Sequence, residues 1–137
     1  MASLANRFVR VTLERMVHDP SSVPPEVFEE FVREARGPGS SRAFVRDNQA
    51  TIERSRMRNN LLPVIDRIAT SALFLHGARD PLVDPEGARR AVELMPDARL
   101  VLVPDTGHWA QLEAHDRLLR EFDGFLSERG LRTHFER

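Results

Sequence analysis

The sequence predicts an α/β layer fold in which a helical segment over 1–60 precedes a βαβα unit over 61–137. Before Pro63, apolar residues recur three or four apart among many charges, the spacing of amphipathic helices. After Pro63, two short unbroken apolar runs appear, each followed by a loop and a helix-spaced stripe. Apolar runs without polar alternation suit parallel strands buried on both faces, and strands alternating with helices are the mark of an α/β layer.

In chain order, Leu4, Phe8, Val11 and Arg15 carry the first helical spacing, and Val27, Phe28, Phe31 and Val32 the second. Asp19-Pro20-Ser21-Ser22 and Val23-Pro24-Pro25 punctuate them, and Ser22 or Val23 before two prolines predicts a helix start. Gly37-Pro38-Gly39-Ser40-Ser41 is a break, with Ser40 or Ser41 capping a third helix over about 42–58. Arg42, Arg46, Arg54, Arg56 and Arg58 give that helix a basic outer face, read as solvated. Ala72-Leu73-Phe74-Leu75-His76 and Leu100-Val101-Leu102-Val103 are the strand runs, ending in Gly77 and Pro104. Between them Asp84-Pro85-Glu86 reads as cap, first-turn proline and first-turn acid of a helix that Pro96 stops. The last helix begins near Asp116 and places Leu118, Leu119, Phe122, Phe125 and Leu126 on one stripe. Two strands cannot complete a doubly wound sheet, so the unit reads as part of one.

Composition narrows the function classes. The 137 residues are 41% hydrophobic and 30% charged, as in ordinary globular proteins rather than disordered ones. Twenty basic against twenty-one acidic residues leave no excess of positive charge for nucleic acid or an anionic membrane surface. No run reaches the ~18 apolar residues of a membrane span, and Met1-Ala-Ser-Leu-Ala-Asn-Arg-Phe has no signal-peptide layout. The chain has no cysteine, which excludes disulfides, thiolate metal sites and a cysteine nucleophile. A cytoplasmic location is the expectation that fits.

Two ionisable residues follow the two strands, where functional groups of open α/β sheets collect. Asp80 closes Leu75-His76-Gly77-Ala78-Arg79-Asp80, and His108 lies in Pro104-Asp105-Thr106-Gly107-His108-Trp109. If the strands are parallel neighbours, the loops meet at one edge. A carboxylate beside an imidazole fixes its tautomer and stabilises the imidazolium formed during proton transfer. Asp105 is the competing acid, but so close to His108 in sequence it is read as a turn former. Asp80, His108, Glu113 and His115 share no metal-ligand spacing, so neither a metal nor another cofactor is expected. His18, His76, His115 and His134 are read as structural or solvent-exposed.

These motifs resemble the α/β-hydrolases. Gly77-Ala78-Arg79-Asp80 is similar to the family's Gly-x-x-Asp, and Pro81-Leu82-Val83 to the apolar turn after it. Acid before histidine obeys the family's chain order of nucleophile, acid, histidine. Gly107-His108-Trp109-Ala110-Gln111-Leu112-Glu113 resembles the Gly-His-Trp-Ala-Gln-x-Glu segment of carbon–carbon hydrolases that cleave ring-fission products of aromatic degradation. The resemblance covers residues 61–128 closely and 1–60 loosely, as a cap or lid. It implies Asp80 as the acid, His108 as the base, and Trp109 as a substrate-pocket residue, with plain packing the alternative for Trp109. It also implies a small-molecule substrate, cleaved at an ester or at a carbon–carbon bond beside a ketone.

The sequence departs from the family as well. Ser71 stands where members usually have a proline, as does His115. Arg33 lies near a substrate-contacting cap arginine without aligning to it. Phe28, Phe31 and Phe44 would line the lid's underside or pack its helices. No Gly-x-Ser-x-Gly elbow occurs; Gly37-Pro38-Gly39-Ser40-Ser41 has the wrong spacing, and His76-Gly77 sits at the acid strand rather than in an oxyanion loop. A second reading follows: a non-catalytic chain, as a truncated, degenerate or split hydrolase. Its exposed strand edges would favour homo-oligomers or domain-swapped association.

Overall fold

A computed structural model of the chain describes residues 7, 10–35, 37, 42, 46, 49–53, 56–57 and 60–131. Residues 10–14 are helical and lead into a 3-10 turn, Pro20–Ser22, whose cap Asp19 accepts from the Ser21 amide at 2.9 Å. Helix α1 is Pro25–Ala35, so the start predicted at Ser22 or Val23 falls two to three residues later, with a proline in the first position. Its Phe28 is buried with Leu13, Val17, Val23 and Trp109. Leu4, Phe8, Phe44, Arg54, Arg58, His134 and the Ser40 or Ser41 cap lie outside the described residues.

The helix expected over about 42–58 is shorter. Residues 49–51 are helical, but Ile52–Glu53 (β1) and Arg56–Met57 (β2) pair antiparallel. The β-branched pair Thr51-Ile52 is a weak helix former and a good strand former, and the change of structure falls there.

Strands β3 (Ala72–Gly77) and β4 (Ala98–Val103) are parallel neighbours, registered from Ala72 opposite Ala98 to Gly77 opposite Val103. Both were expected to be buried on two faces. Five of the six residues in each are instead half-buried, because β3 and β4 pair only with each other among the described strands. Helix α2 (Glu86–Leu94) closes one face. Ala91 and Met95 there meet Ile65 of the 3-10 turn Leu62–Arg67, with Ala72, Phe74 and Ala98 against them. The sequence placed Asp84 at the cap and Pro85 in the first helical position; the helix instead begins at Glu86 with Pro85 in the cap position, and Asp84 accepts from the Glu86 amide at 2.9 Å just ahead of it.

After β4 the chain forms a short helix α3 (Ala110–Glu113), breaks at Ala114, and continues as α4 (His115–Ser127), one residue before the predicted start. Phe125 of its apolar stripe is buried beneath the Arg129 guanidinium, 3.7 Å from the ring centre, whereas Phe122 is exposed. No helix among the described residues is long and apolar enough to cross a membrane.

Candidate active site

Because β3 and β4 run parallel and in register, their C-terminal ends open side by side, and the two following loops meet. The approach is close: a Cβ on Gly77 would overlap the carbonyl oxygens of Thr106 and Gly107, so only glycine lets these loops touch. The Ala78 amide bonds to Val103 O at 2.8 Å and the Arg79 amide to Thr106 O at 2.9 Å, fixing one loop on the other.

At this seam His108 Nδ1 lies 2.9 Å from Asp80 Oδ2. The Asp80 side chain is 4% exposed and that of His108 32%. The other carboxylate oxygen, Oδ1, accepts from the amides of Leu82 at 2.8 Å and Val83 at 3.0 Å. Burial works to raise the Asp80 carboxyl, but the Val83 amide, the His108 ring and the Leu82 amide outweigh it and hold the group below its ordinary value of 3.8. Asp80 is therefore an anion near neutral pH. The carboxylate can only accept, so Nδ1 donates the proton of this contact, and in the neutral imidazole Nε2 then keeps its lone pair, the form a general base requires. Both residues border a cleft of about 260 Å³, lined also by Leu75, Val83, Ala110, Gln111 and Leu118.

Asp105 takes the turn role read for it. It has φ 50°, in the left-handed region tolerated by Asp, and its carboxylate faces Arg79 Nε at 2.9 Å rather than His108. Trp109 is buried and stacks on Phe31, with ring centroids 4.6 Å apart and an interplanar angle of 23°. It belongs to the cluster that joins residues 13–28 to the histidine loop and is not among the residues lining the cleft beside His108. Arg33 pairs on the surface with Glu30 and Glu34. No group of three or more His, Cys, Asp or Glu side chains among the described residues could hold a metal ion.

Two site residues have neighbours that spacing alone does not reveal. Glu113, one turn beyond His108, accepts from the amides of Gly107 at 2.8 Å, His18 at 2.7 Å and Asp19 at 3.2 Å. With the His108 amide bonded to Met16 O at 2.8 Å, it ties residues 16–19 across the histidine loop. A Cβ on Gly107 would come within 2.6 Å of His18 N and 2.8 Å of Met16 O, so this strap also depends on a glycine. His76 places Nε2 3.0 Å from Val83 O and 3.3 Å from Asp80 Oδ2. Its position four residues before the acid, at the end of a strand, was the available signal.

The pattern of one family, described as alpha/beta hydrolase fold, matches residues 3–115. A 2-hydroxymuconate semialdehyde hydrolase of Pseudomonas putida is 26% identical over 132 residues, covering 92% of this chain and 44% of that protein. The dihydrolipoyllysine-residue acetyltransferase component of an acetoin cleaving system, also of Pseudomonas putida, is 25% identical over 123 residues, covering 89% of this chain and 32% of that protein. An acetate-bound variant of the meta-cleavage product hydrolase from Pseudomonas fluorescens IP01 superimposes with a TM-score of 0.75 at 24% identity, over 90% of this chain and 46% of that one. The chain thus spans less than half the length of each of these relatives.

Proposed function

This chain belongs to the α/β hydrolase fold family, and from that premise we propose that Asp80 and His108 are the acid and base of a hydrolytic relay. The observation that carries this reading is the 2.9 Å contact of His108 Nδ1 with a nearly enclosed Asp80 carboxylate at the mouth of a cleft. His108 Nε2 takes the proton of a nucleophilic hydroxyl or water as it attacks the substrate carbonyl, and Asp80 stabilises the imidazolium that results. His108 then returns that proton to the leaving group, an alkoxide from an ester or a carbanion from a carbon–carbon bond beside a ketone. The nucleophile and oxyanion donors come from outside these 137 residues, which contain no Gly-x-Ser-x-Gly elbow. The substrate is a small molecule, and the 2-hydroxymuconate semialdehyde named for the 26% identical relative sets the class to test first. In this reading residues 1–60 serve as a lid over the core unit 61–137, a role supported by the packing of residues 13–31 around Trp109.

The missing elbow favours a second reading, a chain without turnover of its own that acts, if at all, with another chain. The test is hydrolysis of a short-chain nitrophenyl ester and of a meta-cleavage product by the purified chain, with His108→Ala as control. Turnover that His108→Ala abolishes means a nucleophile reaches Nε2. Equal rates for both proteins mean the isolated chain does not catalyse these reactions.

A further inference from the structure

Asp80 faces two imidazoles, and the relay uses only one. We propose that His76 is a positioning residue for the Asp80–His108 pair: a hydrogen bond that staples the strand end to the acid loop and aims Oδ2 at His108. The inference rests on the proposed roles of Asp80 and His108.

The geometry decides the chemistry of His76. Val83 O can only accept, so at 3.0 Å the His76 Nε2 must carry the proton. Neutral His76 is therefore the Nε2–H tautomer, with its positive edge 3.3 Å from Asp80 Oδ2. Val83 is gripped on both sides, its amide donating to Asp80 Oδ1 at 3.0 Å and its carbonyl accepting from His76. Oδ1 is occupied by Leu82 and Val83, and Oδ2 by His108 with His76 against it. A carboxylate has about four lone-pair directions; three of them meet the donors of Leu82, Val83 and His108, and the edge of the His76 ring stands against the remaining side of Oδ2. The His76 side chain is 15% exposed, sheltered enough that water does not easily take its place. The other cleft-lining side chains are Leu75, Val83, Ala110, Gln111 and Leu118, so His76, Asp80 and His108 are the ionisable groups in it.

The test is proton and nitrogen NMR of the full chain, with imidazole nitrogens labelled. In the wild type, a strongly downfield His108 Nδ1–H resonance marks the bond to Asp80, and Asp80→Asn removes it. His76 should show the Nε2-protonated tautomer. His76→Ala should broaden or lose the His108 resonance while the amide spectrum stays folded. His76→Gln, whose side-chain amide can reach Val83 O, should restore it. A wild type without that resonance overturns the acid–base pair and the His76 assignment together. A resonance that persists unchanged in His76→Ala overturns the role of His76 alone. If His76→Ala does not fold, a His76 protonated on Nδ1 instead, or a His76→Gln variant that folds without the resonance, overturns the assignment.

Discussion

Replacing Glu113 by alanine should release residues 16–19 from the histidine loop, and the structure sets the size of the effect. Its three donors are not equivalent. Gly107 is buried, so its amide loses the 2.8 Å contact to Oε1 with no water at hand, at a cost of about 1–3 kcal/mol. His18 and Asp19 are exposed, so water replaces Oε2 there, and each bond contributes about 0.5 kcal/mol net. The sum is about 3 kcal/mol, a large part of the ~5–15 kcal/mol that stabilises a typical domain. At a urea dependence of about 2 kcal/mol per molar, the midpoint falls by about 1.5 M. Glu113→Gln keeps one acceptor for Gly107 but turns an NH2 group toward the exposed amides, so it should cost about 1 kcal/mol. The chain has a single tryptophan, and Trp109 is buried against Leu13, Val17, Val23 and Phe28, so its emission in a urea titration reports this docking. An alanine variant within about 0.5 kcal/mol of the wild type would refute the strap. A glutamine variant as damaging as alanine would show that charge, rather than the buried Gly107 donor, dominates.

Gly77→Ala should cost about 1–3 kcal/mol, because backbone carbonyls of Thr106 and Gly107 cannot rotate away from the new methyl group; an unaltered urea midpoint would mean that the loops do not approach this closely. Asp80 titrates below its ordinary value of 3.8 in the folded chain, so the unfolded chain takes up this proton first as pH falls. Its stabilisation is complete at neutral pH and is lost as pH drops through the lowered native value. The stability gap between wild type and Asp80→Asn should therefore shrink in acid, and a gap that stays constant down to about pH 2 would contradict the depressed carboxyl.

The meeting of Asp80 and His108 was legible in the sequence because its signals are local. Asp80 and His108 each follow an apolar run by a few residues, and parallel pairing of those runs is enough to bring them together. Helix α2 was nearly as plain, with Asp84-Pro85 just before its start and Pro96 beyond its end. The failures came where long-range contacts decide. Residues 52–57 carry Glu, Arg and Met, all good helix formers, and strands two residues long have no periodicity to read. Phe122 lies on a stripe that predicts cover, yet the described residues leave it exposed. His76 was absorbed into an apolar run, and Glu113 finds two of its partners 94 and 95 positions away. No spacing rule reaches that far.

The two halves of the pair are consequently held in different ways. Asp80 takes its contacts from Leu82, Val83 and His76, all within four residues, so its geometry travels with β3 and the loop that follows. His108 has its amide on Met16 O, and its neighbour Gly107 is held through Glu113 to His18 and Asp19. Packing changes in residues 13–31 can therefore move His108 while leaving Asp80 in place. The separation of Nδ1 from Oδ2 is the distance that such a change would alter. The seating of Phe31 on Trp109 and of residues 16–19 on Glu113 therefore bears on whether the imidazole faces its carboxylate.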